Sequence, residues 1–129
     1  MNRRNKQALQ DFLEHIQQAV ERIQRYIVDV DHADFLANEE KQDAVIRNLE
    51  IIGEASENIR KNFPEFAEKF PDFPLRPAYG MRNALAHGYF KVDLNVVWKT
   101  IEKDLPVLAI QVEKVLTSME SNSGPASSI

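Results

Sequence analysis

The chain has 129 residues, 43% of them hydrophobic and 28% charged, with a mean hydropathy of -0.41. That composition supports one sizeable core under a solvated surface and excludes collagen-like and disordered classes. Without cysteine it has no disulfide, no thiol catalysis and no cysteine-ligated zinc or iron–sulfur site, and no stretch approaches the ~20 apolar residues of a bilayer span. In chain order, Leu9, Phe12, Leu13, Ile16, Val20, Ile23 and Ile27 step by three and four, which predicts a first helix from about Lys6 to Val30. Asp31 and His32 begin a break, and a short turn near Asp34 to Ala37 leads to Asn38. Asn38 is a candidate N-cap, with Glu39 and Glu40 in the first turn of a second helix reaching about Asn62. Its stripe is Val45, Ile46, Leu49, Ile52 and Ile59; Gly53, beside Ala55 and Ser56, points to close approach of a neighbouring helix.

Residues 63 to 77, FPEFAEKFPDFPLRP, hold four of the six prolines and four of the seven phenylalanines. They read as an anchored connector with one helical turn at Glu65 to Lys69. A short third helix should run from about Pro77 to His87, where Gly88 can terminate it. Asp93 caps a long fourth helix through Met119, which Pro106 should kink. The expected fold is all-α: an antiparallel bundle of four to five helices in a single domain over 1–119, followed by a flexible polar tail over 120–129. The N-terminal MNRRNKQALQDFLEHIQQ lacks the apolar run of a secretory signal, so the cytoplasm is the expected compartment.

A net charge of -4 does not advertise nucleic-acid binding, so any anion site must be local. Between Asp72 and Asp93 lies a run of 20 residues without a carboxylate that contains Arg76, Arg82, His87 and Lys91. On a wheel of about 100° per residue with Met81 at zero, Ala78, Ala84, Leu85 and Gly88 cluster near Met81, while Arg82, Asn83 and His87 fall at roughly 100°, 200° and 240°. A cation, an amide and an imidazole thus converge around the small Ala86, with Tyr89 just beyond. Arginine offers a planar fork of donors for phosphate, and histidine, with a reference pKa near ~6.5, exchanges protons at neutral pH. Those are the needs of RNA transesterification, in which a 2′-hydroxyl loses its proton and attacks the adjacent phosphodiester. The missing carboxylates argue against a magnesium site, and no cofactor is implied.

Other readings compete. His87 can cap a helix C-terminus and Arg82 can pair with an acid. Tyr89 can pack on the loop. Arg47, Glu50, Glu54 and Glu57 are spaced for helix-surface ion pairs, although one of these acids could orient a catalytic group across the bundle. His15 and His32 suit ordinary surface or packing roles better than metal ligation.

The run GMRNALAHGYFKVDLNVVW, preceded by AVIRNLEIIGEASENI and followed by KTIEKDLPVL, resembles the HepT branch of the HEPN superfamily, the toxin half of HepT–MntA toxin–antitoxin pairs. The hallmark Arg-x-x-x-x-His-x-Tyr falls on Arg82, His87 and Tyr89, and the likeness covers roughly residues 40 to 110. The resemblance implies a HEPN-type helical bundle, a homodimer that brings two motifs into one cleft, and metal-independent endoribonuclease activity. With the wheel, it makes Arg82, His87 and Asn83 the candidate catalytic set, and the acid-free run offers Arg76 and Lys91 as candidate RNA contacts. The resemblance also implies a partner, an MntA-like nucleotidyltransferase antitoxin that adenylylates Tyr89. A reading from another class is a non-catalytic HEPN adaptor that binds nucleotide or assists a nucleotidyltransferase, with Arg82 holding a phosphate.

Overall fold

A computed structural model describes residues 2–86 and 92–123, with side-chain surroundings for 2–81 and 92–121. The elements are α1 (Arg3–Tyr26), α2 (His32–Leu36), α3 (Glu39–Asn62), α4 (Phe66–Lys69), α5 (Leu75–Ala86) and α6 (Leu94–Ser123), and among the described residues there is no strand. The four main helices are those expected from the periodicity, joined by two short ones.

α1 starts earlier than its apolar stripe because Asn2 caps it, its side chain accepting from the Asn5 backbone N–H at 2.8 Å. It also stops earlier, at Tyr26, although Ile27 and Val30 keep the apolar spacing. Asp29 adopts a left-handed φ of 60°, which turns the chain while Ile27 and Val30 still pack against the core. Residues 31–36, expected as a turn, form α2: the Asp31 carboxylate accepts from the Asp34 N–H at 2.8 Å, and Asp34 accepts from the Asp31 N–H at 3.2 Å. This reciprocal capping box anchors the buried Phe35. Asn38 caps α3 as expected, accepting from the Lys41 N–H at 3.0 Å.

α3 is the centre of the packing, flanked by α1 on one side and α5 on another, while α1 also packs on α6. The side chains of Leu13, Ile16, Ile23, Ile52, Ile59, Leu105 and Leu108 are fully or almost fully buried. Each contributes on the order of 1.5–3 kcal/mol of transfer free energy. Gly53 and Ser56 are also buried, as a closely approached helix face requires. At one end of the bundle Lys6 and Leu9 of α1, Phe63 after α3 and Met119 of α6 line one pocket. The other end brings His32 against Asn95 and Trp98. α1 is therefore antiparallel to both α3 and α6.

The aromatic connector is anchored by its rings: Phe66 packs edge-on against Phe73 at 5.2 Å and tilted against Phe70 at 5.1 Å. α5 begins at Leu75, two residues before the expected Pro77, because the Pro74 carbonyl accepts from the Ala78 N–H at 3.1 Å and Leu75 is buried. Pro77 then sits in the first turn, where a missing N–H costs little. α6 opens on Asp93, whose carboxylate accepts from the Asn95 N–H at 2.9 Å, and continues through Pro106 to Ser123. No described helix is long and apolar enough to cross a membrane.

Candidate active site on the fifth helix

α5 is held to the bundle by its small face. Ala78 is fully buried and Met81 nearly so, while Arg76 and Pro77 face solvent and Tyr79 and Gly80 are half-exposed. At its start, Tyr79 lies under the Arg60 guanidinium, 5.4 Å from ring centroid to Cζ, which fixes the beginning of α5 beside the end of α3. Arg60 is in turn gripped by Glu57, through Nε at 3.1 and 3.2 Å and through a further contact from Nη2. Hydrogen bonding to Glu57, and then its charge, raise the guanidinium pKa above the ordinary arginine value. Of the four α3 residues spaced for ion pairing, Glu57 is thus engaged with a cation one turn on.

Since α5 starts at the C-terminal end of α3, it runs antiparallel to it, toward the end of the bundle that holds α2 and the start of α6. Arg82 and Asn83 lie in the second half of α5, carried in that direction; their side chains lie outside the described residues. His87, Tyr89 and Lys91 also lie outside them. Arg76 is exposed in the first turn, a turn without an acid. A cation at that place opposes the helix dipole, and with no carboxylate in the first turn to offset it, the local field favours an arriving anion.

The helix behind α5 carries two buried polar groups, of which the sequence singled out only Ser56, as part of a small-residue patch. Asn48 and Ser56 of α3 are 5% and 0% exposed. The Asn48 amide donates to the Ala44 carbonyl at 2.8 Å, but neither its Oδ1 nor the Ser56 hydroxyl has a hydrogen-bond partner among the described residues. Buried groups of this kind cost about 1–3 kcal/mol when unpaired, so they mark a place where polar partners belong. They are separated by two helical turns on one face of α3, a spacing that polar periodicity alone does not distinguish from chance.

The profile of the HepT-like family, described as ribonuclease HepT-like, matches residues 16–115, from the middle of α1 nearly to the end of α6 and across the whole motif. The chain belongs to the HepT-like family. Its all-helical architecture is accordingly of the HEPN type. The chain is 43% identical over 110 residues to the protein named Probable ribonuclease HepT of Thermococcus cleftensis, covering 85% of this chain and 97% of that one. Proteins named Putative RNase from Methanocaldococcus jannaschii and Caldanaerobacter subterraneus subsp. tengcongensis are 38% identical over 111 residues and 39% over 105. These cover 86% and 81% of this chain and 99% and 91% of theirs. No solved structure matches the chain. Of the candidate catalytic residues singled out in the sequence, Arg82 and Asn83 lie on α5, which packs against α3.

The other two histidines behave as packing and surface residues. His15 is exposed on α1, and His32 stacks on Trp98 with ring centroids 5.8 Å apart and planes 5° from parallel. Among the described residues no group of three His, Cys, Asp or Glu is placed to hold a metal ion.

Proposed function

We propose that this chain is a metal-independent endoribonuclease, the toxin of a toxin–antitoxin pair, that works as a homodimer. The single observation that carries the reading is the HepT-like match over residues 16–115 with Arg82, Asn83, His87 and Tyr89 all inside it. The acid-free first turn of α5 with Arg76 exposed supports it, because such a turn favours a polyanion.

In the proposed reaction the His87 imidazole takes the proton of a ribose 2′-hydroxyl, and the 2′-oxygen attacks the adjacent phosphorus. The bond from phosphorus to the 5′-oxygen breaks, and an imidazolium returns a proton to that oxygen. The products are a 2′,3′-cyclic phosphate and a 5′-hydroxyl, so protons and charge balance without a metal. Arg82 neutralises the added charge on the pentacoordinate phosphorus through its donor fork, and the Asn83 amide holds a non-bridging oxygen. Arg76 and Lys91 carry the flanking phosphates. Two copies of the site in one cleft provide separate base and acid histidines. Val107, which lines a pocket with α5, and Ile110, one turn further along α6, are exposed at 50% and 55% and supply an apolar surface for the second copy.

Control follows from Tyr89. An MntA-like nucleotidyltransferase antitoxin transfers AMP from ATP to its hydroxyl, with the phenol proton lost and pyrophosphate leaving, which adds bulk and phosphate charge near Arg82 and His87 in the sequence and excludes RNA. The deciding experiment is cleavage of RNA in EDTA. Wild type leaves 2′,3′-cyclic phosphate ends, whereas Arg82→Ala and His87→Ala lose cleavage with helical circular dichroism unchanged. A requirement for added magnesium, or activity persisting in both variants, overturns the mechanism. Co-expression with the antitoxin adds AMP mass to wild type but not to Tyr89→Phe; nucleotide found on another residue overturns the control.

A further inference from the structure

At the end of the bundle toward which α5 runs, α2 and the first turns of α6 enclose an open cavity of about 480 Å³, in the size range of small-ligand sites of ~300–1,000 Å³. Its wall includes His32 stacked on Trp98, with Phe35 tilted by 34° behind the indole. Phe35, fully buried, lies 5.4 Å from Trp98, and Trp98 lies 5.8 Å from His32. Trp98 is buried, so the exposed His32 forms the outer layer, with one face on the indole. The ring is locked in place because Nε2 bonds Asn95 Oδ1 at 2.9 Å. In this bond Nε2 is the donor, because a carbonyl oxygen only accepts. Around this platform stand the exposed Asp93, Asn95, Lys99 and Glu102.

The geometry points to a nucleobase subsite: one unstacked base of single-stranded RNA lies on His32, reads the Asn95, Asp93 and Glu102 groups with its edge, and has its phosphate held by Lys99. This rests on the reading of the chain as a ribonuclease. A rigid aromatic platform is what single-stranded RNA recognition uses, since every base has a π-face. The two carboxylates disfavour a phosphate inside the cavity but accept from the amino and imino groups of a base, and among the described lining residues Lys99 is the cation. Asp93 follows Tyr89 by only four residues, so the chain keeps their backbones within about 14 Å. One strand can therefore occupy the motif and this cavity together. The cavity then selects the base on one side of the cut, a specificity that neither Arg82 nor His87 can provide.

Trp98 is the only tryptophan in the chain and so reports on this cavity alone. The probe is a labelled single-stranded RNA of about ten nucleotides carrying 2′-O-methyl groups, which binds without being cut. It should change Trp98 emission saturably in the full-length protein and in Arg82→Ala. By polarisation, His32→Ala should bind it roughly 5- to 150-fold more weakly, as loss of one stacked base does. His32→Phe, which keeps the platform, should stay close to wild type. With cleavable RNA, His32→Ala should raise KM and leave kcat unchanged, and Lys99→Glu, fully on the surface, should act in the same direction. Wild-type affinity in His32→Ala overturns the subsite, as does Trp98 emission that follows protein concentration and ignores RNA, which would mean that a second copy covers the cavity. RNA binding lost in His32→Ala from a protein that cleaves nothing would uphold the subsite and sink the nuclease. Cleavage with unchanged KM in that variant would do the reverse.

Discussion

The pairing of α1 with α3 and the docking of α5 use the same helix geometry for opposite ends. α1 and α3 have 24 residues each, side-chain caps at their N-termini, and long stripes of buried Leu, Ile and Val. α5 has 12 residues and begins at a proline carbonyl; its first turn carries an arginine and no acid. Among the described residues its buried face is Leu75, Ala78 and Met81, a single branched aliphatic where α1 and α3 carry long stripes. The long pair holds itself; α5 is held by what it lies against. A short element with little cohesion of its own can present polar groups at a close approach, because its residues are not all committed to the core. In the proposed mechanism stability and chemistry fall on different helices, and substitutions should separate them.

The largest separation is between Ile52 and Arg82. Ile52 is fully buried on α3, so Ile52→Ala should lose about 2–5 kcal/mol of unfolding free energy in a urea titration, while cleavage per folded molecule stays near wild type. Arg82→Ala should show the mirror image, with a loss of about 10²- to 10³-fold in cleavage rate and an unchanged midpoint. If Arg82→Ala unfolds the protein as readily as Ile52→Ala, α5 is part of the frame and the division is wrong. A smaller effect tests the link between them. Asp31→Ala removes the cap of α2 and should lower stability by about 0.5–2 kcal/mol, measurable as a shift in the same titration. A loss below that range would mean that α2 is held by Phe35 alone.

Much of this was legible in the sequence because it depends on local signals. Asn38 before Glu39 and Glu40 marked the start of α3, and Asp93 marked the start of α6, since caps act over three residues. α2 was hidden because its capping box is closed by an aspartate, Asp34, where glutamate or glutamine is the familiar signal. α1 ended before its periodicity did because a hydrophobic spacing does not reveal that Asp29 will turn left-handed. Helical spacing offered Arg82, Asn83 and His87 as candidates, while the motif with Tyr89 and the family came from the resemblance of the surrounding run. The His32–Trp98–Asn95 cluster could not, because its bond joins positions 63 residues apart and each residue is ordinary where it stands. Buried Asn48 was invisible for the same reason, whereas Ser56 stood in the small-residue patch with Gly53 and Ala55 that pointed to a close helix approach.

Arg76 offers a subtler test of the field at α5. Arg76→Ala removes a cation from the positive end of a helix, so unfolding free energy should rise by roughly 0.3–1 kcal/mol. RNA affinity should fall, and the slope of its logarithm against log salt should shrink by about 0.7, the value for one phosphate contact on a single strand. An unchanged slope would show that Arg76 touches no phosphate and would remove it from the RNA path.

The smallest change in structure is the most discriminating. Gly80 lies mid-helix on α5 with an ordinary negative φ, and a methyl group added there meets nothing within 4 Å. Judged by the described chain alone, alanine is the better residue, and Gly80→Ala should raise stability by about 0.4–1 kcal/mol through the lower entropy of the unfolded state. By helical spacing, however, Gly80 stands in one file with Arg76 before it and Asn83 after it, on the arc that also carries His87. If that file is the floor on which RNA lies, the methyl enters substrate space and nowhere else. Gly80→Ala should then melt later than wild type and yet cleave RNA with a raised KM, a combination that no loss of packing can produce. A variant that is more stable and fully active would show that the open space at Gly80 is plain solvent, and that the RNA crosses α5 on its Arg82 side alone.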